Sequence, residues 1–188
     1  MLVSKNHLLQ CLLGTLLLSL VCFTADVSAS PIPGYVNPFA KGDWGLARTD
    51  MGVDFLPLHR EAVVAIGRAE ILGADYRSGW PGKHVIWYQL LSGNHQGDVI
   101  YVAEHLGRMA HPGKIVQAGQ WIATALPGYP WTEWGWADLY GNPRAQPCYK
   151  EGRRTNSGKE FARFLSALGA ETYSVPGPGL NYPSGHLC

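Results

Sequence analysis

Short runs of β-branched and aromatic residues, separated by turn-forming residues, constrain the fold of this 188-residue chain more than any other feature. The clearest run, HVIWYQLL at 84–91, is followed by the loop SGNHQG at 92–97 and by a second run that begins at Asp98. β-Branched and aromatic residues favour strands, and the Gly, Asn and Ser between them favour turns. Further runs of this kind lie at 62–66, 69–72 and 121–125. Short strands at this spacing are typical of antiparallel sandwiches and barrels, so we predict a mainly β fold.

One helix is signalled near the C-terminal end. Ser157 and Glu160 form a capping-box pattern, and Gly169 stands where a helix is commonly terminated. Between them, apolar residues recur at helical spacing, namely Phe161, Phe164, Leu165 and Leu168. We predict a C-terminal α-helix over about 157–168 that packs through this stripe.

The N-terminal segment has the pattern of an export signal. An apolar run at 8–23 is followed by small residues up to Ala29, where a signal peptidase would cut. A retained membrane anchor is the alternative, although the run is short for a bilayer span of about 20 residues. We expect 1–29 to be a signal peptide, and the mature chain to be secreted or in the cell envelope without stable membrane insertion.

The rest of the chain divides into three predicted segments. Residues 30–44 contain proline and glycine and are expected to form an extended lead-in arm. The strand-rich part at 45–140 is expected to be the main β domain. Residues 141–188 then form a C-terminal extension that holds the helix.

Two cysteines, Cys148 and Cys188, remain after removal of a signal peptide. Two cysteines in an oxidising compartment most simply pair with each other. If stabilisation is calculated from the lost entropy of the unfolded chain, such a disulfide would stabilise the folded chain by about 4 kcal/mol. A catalytic thiol is the alternative, and no local pattern supports it.

Charged residues are few and balanced, with 15 Lys and Arg residues against 14 Asp and Glu residues and a net charge of +1. Proteins that bind nucleic acids usually carry a concentrated basic face. We therefore expect no nucleic acid among the partners.

Five motifs occur in an order that resembles a known family. Asp-x-Gly-x-Asp comes first at 50–54, followed by AVVAIG at 62–67, VIWY at 85–88, YVAEHL at 101–106 and GKIVQAGQWIA at 113–123. This order is similar to that of the lysostaphin-type zinc endopeptidases, over roughly 45–137. The resemblance implies a duplicated β-hybrid fold, a place of action in peptidoglycan, and a zinc site that cleaves peptide cross-bridges.

The zinc-binding positions of the family are where this chain departs from the pattern. Asp50 stands in place of the first histidine of His-x-Gly-x-Asp, whereas Asp54 matches its aspartate. The closing His-x-His corresponds to Glu133-Trp-Gly135, and glycine has no side chain that binds a metal or transfers a proton. The resemblance therefore implies a degenerate metal site.

A further histidine of the family lies in Tyr-x-His-Leu at a strand end. The corresponding segment at 101–106 is longer here, so either Glu104 or His105 takes its place. A shift of one residue reverses the face to which a strand residue points, and the sequence leaves both residues open.

Asp50, Asp54 and Glu133 are the candidate metal ligands. Zinc prefers imidazole and thiolate, whereas an all-oxygen set suits Ca²⁺ or Mn²⁺ better. We therefore favour no cofactor, with zinc or another divalent cation as the alternative. In an active enzyme, the candidate catalytic residues are Asp50, Asp54, His105 and Glu133.

Two other interpretations of these carboxylates remain open. Two carboxyl groups roughly 5–9 Å apart can divide the acid and base roles of glycoside cleavage. Alternatively, Asp50 and Asp54 bond to the loop backbone at a strand start, as Asx residues often do.

The tryptophan-rich stretch at 128–136 places aromatic residues around Glu133. Aromatic faces stack on sugar rings and aliphatic stems, although one or two of these three tryptophans are expected to pack in the core. We predict a cleft that binds peptidoglycan or another wall polymer without cleaving it. The alternatives are an active metal-dependent peptidoglycan endopeptidase with carboxylate ligands and a structural or protein-interaction domain. The predicted binding residues are Asp50, Asp54, Glu104, His105, Glu133, Trp134 and Trp136.

Overall fold

The computed structural model describes residues 32–77, 79–80 and 82–172. The expected signal peptide at 1–29 and Cys188, the expected partner of Cys148, lie outside the described residues. Within them, no helix is long and apolar enough to cross a membrane. The division into arm, β domain and extension stays a prediction.

The described residues form ten β-strands, one short 3₁₀ helix and one α-helix. In chain order these are β1 (Trp44–Thr49), β2 (Val53–Pro57), β3 (Glu61–Val64), β4 (Ala69–Tyr76), β5 (His84–Leu90), β6 (Val99–Glu104), β7 (Leu106–Met109), β8 (Ile115–Val116), β9 (Trp121–Ala125), β10 (Thr132–Ala137), the 3₁₀ helix Gln146–Cys148 and α1 (Asn156–Ala167).

The strands form two antiparallel sheets. The larger sheet has seven strands in the order β1-β2-β10-β6-β5-β4-β8, and the smaller has the order β3-β9-β7. The predicted strand runs all lie in these sheets, and the prediction of a mainly β, antiparallel fold with one C-terminal helix is confirmed.

The main core lies on one face of the seven-stranded sheet. Side chains alternate between the two faces of a strand, so β10 sends Trp134 and Trp136 into this core. Phe161 and Phe164 of α1 pack on Trp136. The opposite face has its own smaller apolar cluster around Tyr101. This second face carries the polar site.

Helix α1 begins one residue earlier than predicted, and a different residue caps it. Thr155 is the N-cap, and its Oγ1 accepts a hydrogen bond from the N–H of Gly158 at 3.0 Å. The predicted cap, Ser157, lies inside the first turn, and its Oγ has no hydrogen-bond partner among the described residues. The capping box was therefore wrong, because the threonine two residues upstream has the extended backbone that a cap requires.

Candidate functional site

The pairing of β2 with β10 places two carboxylates side by side. Asp54 lies directly opposite Glu133 in the register, so both point to the same face of the sheet. On the next strand, Glu133 lies opposite Ala103, and Tyr101 lies opposite Gly135. Asp54, Glu133 and Tyr101 therefore share the face that does not carry the main core.

Asp50 joins these residues from the turn between β1 and β2. Its backbone N–H donates to the carbonyl of Gly52 at 2.9 Å, and its Oδ1 accepts from the N–H of Met51 at 2.6 Å. One carboxylate oxygen from each of Asp50, Asp54 and Glu133 lies within 4.8 Å of the other two. These three residues, at most 2% exposed, form what we call the carboxylate cluster.

Arg48 of β1 supplies the positive charge of the carboxylate cluster. Its Nε lies 3.0 Å from Oδ2 of Asp50 and donates to Oδ2 of Asp54 at 2.7 Å. Its Nη2 lies 2.6 Å from Oε1 of Glu151. One guanidinium thus contacts three carboxylates, two of them buried. Sequence reasoning did not identify Arg48, because a single arginine ahead of the Asp50 motif has no distinctive spacing.

Two tyrosine hydroxyls complete the surroundings of the cluster. Tyr101 donates to Oε1 of Glu133, and Oη of Tyr149 lies 2.8 Å from Oδ2 of Asp50. Burial and the neighbouring carboxylates raise the pKa of both tyrosines, so both hydroxyls stay protonated. Tyr101 fits here only because residue 135 is glycine: a Cβ there would lie 2.6 Å from the ring of Tyr101.

Two carboxyl groups of the cluster, Asp54 and Glu133, have raised pKa values. Burial is the largest cause that raises the pKa of Asp54 to about 7; the charge of Asp50 raises it further, and Arg48 opposes both. Burial and the charge of Asp54 raise the pKa of Glu133 well above its ordinary value. One guanidinium therefore does not compensate the buried negative charge in full.

Glu104 adds a fourth carboxylate from the end of β6. Its φ of 84° lies in the region that residues other than glycine rarely adopt. The residue is 7% exposed, and its carboxylate makes no hydrogen bond or ion pair with any residue that the structure describes. Burial, followed by the charge of Asp54, raises the pKa of Glu104 to about 8.

One pocket of about 500 Å³ is lined by Glu104, by Glu133 of the carboxylate cluster and by Arg48. Its lining also includes the aromatic residues Tyr76 and Trp80. The segment after β10 contributes residues that include Tyr149 and Glu151. A pocket of this size accommodates a small molecule or part of a polymer.

Of the seven predicted binding residues, Glu104 and Glu133 line this pocket, whereas Asp50, Asp54, His105, Trp134 and Trp136 do not. Trp134 is 0% and Trp136 is 4% exposed, because alternation along β10 turns them into the core while Glu133 faces the pocket. His105 is not among the pocket-lining residues, and its Nδ1 is buried without a partner in the described part of the chain. Glu104, not His105, therefore faces the pocket.

The third tryptophan of the stretch, Trp131, is partly exposed at the edge of the site. The guanidinium carbon of Arg48 lies 5.4 Å from its ring centroid. The expectation that one or two of the three tryptophans would be core residues is confirmed for Trp134 and Trp136.

Comparison with known proteins gives a likeness of fold. No protein-family model and no curated protein matches the chain. The structure of the antimicrobial peptidase lysostaphin from Staphylococcus simulans is 18% identical over 83% of this chain and 62% of that chain, with a TM-score of 0.49. The NMR solution structure of lysostaphin is 18% identical over 81% of this chain and 61% of that one, with a TM-score of 0.50. The chain spans about three fifths of the length of these proteins, and it has a lysostaphin-like fold.

Proposed function

We propose that this chain is a secreted cell-envelope protein whose lysostaphin-like domain binds peptidoglycan or another wall polymer without cleaving it. The observation that carries this proposal is the position of Arg48, whose guanidinium contacts Asp50 and Asp54 at 3.0 and 2.7 Å. A metal of a hydrolase activates water because it has an open coordination position and acts as a Lewis acid. A guanidinium supplies the positive charge without either property.

Zinc does not fit the donor atoms of the carboxylate cluster. All three candidate ligands are carboxylates, and neither imidazole nor thiolate is among them. Zinc sites in proteins are built mainly from those two donors. We therefore assign no zinc chemistry to the pocket and describe the metal site as degenerate.

A hydrolase that depends on a harder cation is the second candidate. Three carboxylate oxygens within 4.8 Å of one another form a donor set of the kind that Ca²⁺ or Mn²⁺ prefers. Such an ion would have to displace Arg48 from Asp50 and Asp54.

The choice of a wall polymer rests on the resemblance of the sequence motifs to the lysostaphin-type endopeptidases and on the nature of the pocket. Its side chains include carboxylates and the aromatic residues Tyr76 and Trp80, which suit a polymer with sugar rings and peptides. Export to the envelope is an expectation from residues 1–29.

Sedimentation with purified wall sacculi tests the proposal. We expect the mature chain (residues 30–188) to pellet with sacculi, and the double variant Asp54→Asn, Glu133→Gln to remain in the supernatant. Both replacements keep the side-chain shape, so circular dichroism should report an unchanged fold. The exposed helix variant Glu160→Gln should pellet like the wild type.

Two results would overturn the binding proposal. Failure of the wild type to pellet would favour a structural or protein-interaction domain. Release of soluble wall fragments on addition of Ca²⁺ or Mn²⁺ would establish the cation-dependent hydrolase instead.

A further inference from the structure

We infer that the pocket recognises a protonated primary amine of a peptide, and that Glu104 binds it. The inference rests on the proposed function, because the wall polymer is the source of the peptide. It specifies the chemical group that the pocket selects.

The first support is the state of Glu104 itself. The residue is more than nine-tenths buried, lines the pocket, and has no polar partner among the described residues. Buried carboxylates are normally hydrogen-bonded or paired, because an unpaired one loses the solvation of its charge. Glu104 therefore presents an unused hydrogen-bonding group to the pocket, and a cationic partner from outside the chain would favour its ionised form.

The backbone at Glu104 is held in an unfavourable conformation that brings its side chain to the pocket. In β6, Ala103 shares a face with Tyr101, so regular alternation would point the next residue toward the core. The φ of 84° interrupts this alternation. Gly82 packs directly on the backbone of Glu104, where a Cβ at residue 82 would lie 2.6 Å from its carbonyl carbon. Strain of this kind is concentrated at functional sites.

The charge around the pocket favours a cationic ligand. The pocket and the carboxylate cluster beneath it contain five carboxylates, namely Asp50, Asp54, Glu104, Glu133 and Glu151. Among the described residues that line the pocket, two carry a guanidinium group. Arg48 is bound to the cluster, and Arg77 donates to the carbonyls of Tyr140 and Gly141 and to Asn142. No guanidinium therefore pairs with Glu104.

The aromatic side of the pocket suits an ammonium group. Trp80 lines the same pocket as Glu104, and an ammonium over an aromatic face gains cation–π attraction. The protein already shows this preference at the pocket edge, where Nζ of Lys83 lies 5.7 Å from the ring centroid of Tyr76. A compact ammonium with three donors can contact Glu104 and an aromatic face together.

Calorimetric titration with two small peptides tests the inference. The probe is N-acetyl-Ala-Lys-Ala-amide, whose only charge is the side-chain amine, and its match is the same peptide acetylated on that amine. We expect the wild type to bind the first peptide about tenfold or more tightly than the second, because a charge-assisted hydrogen bond usually raises affinity by about that factor. Glu104→Gln should remove the preference, and Glu160→Gln should retain it.

Glu104→Gly separates loss of recognition from loss of fold. Glycine accepts a positive φ without strain, so this variant should melt at a higher temperature than the wild type and still lose the preference for the amine. Equal binding of the two peptides by the wild type would overturn the inference, as would an unchanged preference in Glu104→Gln.

The two proposals fail in distinguishable ways. Sedimentation of both the wild type and Glu104→Gln with sacculi, without any amine preference, would leave wall binding standing and overturn amine recognition. An amine preference that depends on Glu104, in a protein that does not sediment with sacculi, would support amine recognition and overturn wall binding.

Discussion

At the scale of single residues, the pocket depends on the contact between Arg48 and two buried carboxylates. Asp50 and Asp54 are 0% and 1% exposed, so neither is solvated by bulk water. Removal of one partner from a buried ion pair usually costs about 3–5 kcal/mol, because the other charge stays buried without compensation.

We therefore expect Arg48→Met to lower the melting temperature, since methionine keeps much of the side-chain length and removes the charge. Excess Ca²⁺ or Mn²⁺ should restore part of the loss by replacing the missing cation, and should have little effect on the wild type. Differential scanning calorimetry with and without the ion measures both effects. Arg163→Met, on the exposed side of α1, is the matched control. An unchanged melting temperature in Arg48→Met would show that the cluster does not need its guanidinium.

The residues of the site were only partly predictable from the sequence. Asp50, Asp54 and Glu133 occupy recognisable motif positions, and the structure brings them together. Arg48 and Tyr149 have no such signal, because Tyr149 reaches Asp50 across 99 residues of chain. The choice between Glu104 and His105 depends on one positive φ, which no residue pattern indicates for a glutamate.

At the scale of elements, α1 is fixed to the site through its N-cap. Oγ1 of Thr155 accepts from the N–H of Gly158 at 3.0 Å and donates to the carbonyl of Asp50 at 2.9 Å. The N–H of Thr155 donates to the same carbonyl at 2.9 Å. The beginning of the helix and the turn that carries Asp50 therefore support each other.

Thr155→Ala should accordingly destabilise the protein by about 1–2 kcal/mol, the usual cost of a lost N-cap. This corresponds to a fall in melting temperature of about 2–4 °C per kcal/mol for a chain of this size. Ser157→Ala should have a much smaller effect, since Oγ of Ser157 has no partner among the described residues. Thermal denaturation of both variants provides the comparison. A larger fall in melting temperature for Ser157→Ala than for Thr155→Ala would show that Ser157 caps the helix.

Strand positions were easier to predict than strand faces. Residue type alone located β5 and β9, because β-branched and aromatic residues dominate them. All six residues of β6 and all six of β10 are buried, so neither strand has the polar and apolar alternation that identifies an outward face. This is why Trp134 and Trp136 were assigned to the binding surface although they lie in the core.

At the scale of the whole molecule, the raised pKa values link stability to pH. The pKa is about 7 for Asp54 and about 8 for Glu104 in the folded chain, against roughly 4 in an unfolded chain. Between these values the folded chain binds more protons than the unfolded one, so the free energy of unfolding falls as pH rises.

We expect a higher melting temperature near pH 5 than near pH 8. Each pKa unit corresponds to about 1.4 kcal/mol in the free energy of unfolding. Even part of the pKa shift of Glu104 therefore changes the melting temperature measurably. Glu104→Gln should reduce the slope between these two pH values, whereas the exposed Glu160→Gln should not change it. Melting curves across this range test the expectation, and a rise in melting temperature toward pH 8 would contradict it.

The distance along the chain between Asp50 and its partners determines when the pocket can form during synthesis. Tyr149 follows Asp50 by 99 residues and Thr155 by 105. During synthesis, the turn at Asp50 is made long before either residue leaves the ribosome. The pocket therefore reaches its final form only after nearly all of the described chain has been released, and a translation product that ends before residue 149 lacks both contacts to Asp50.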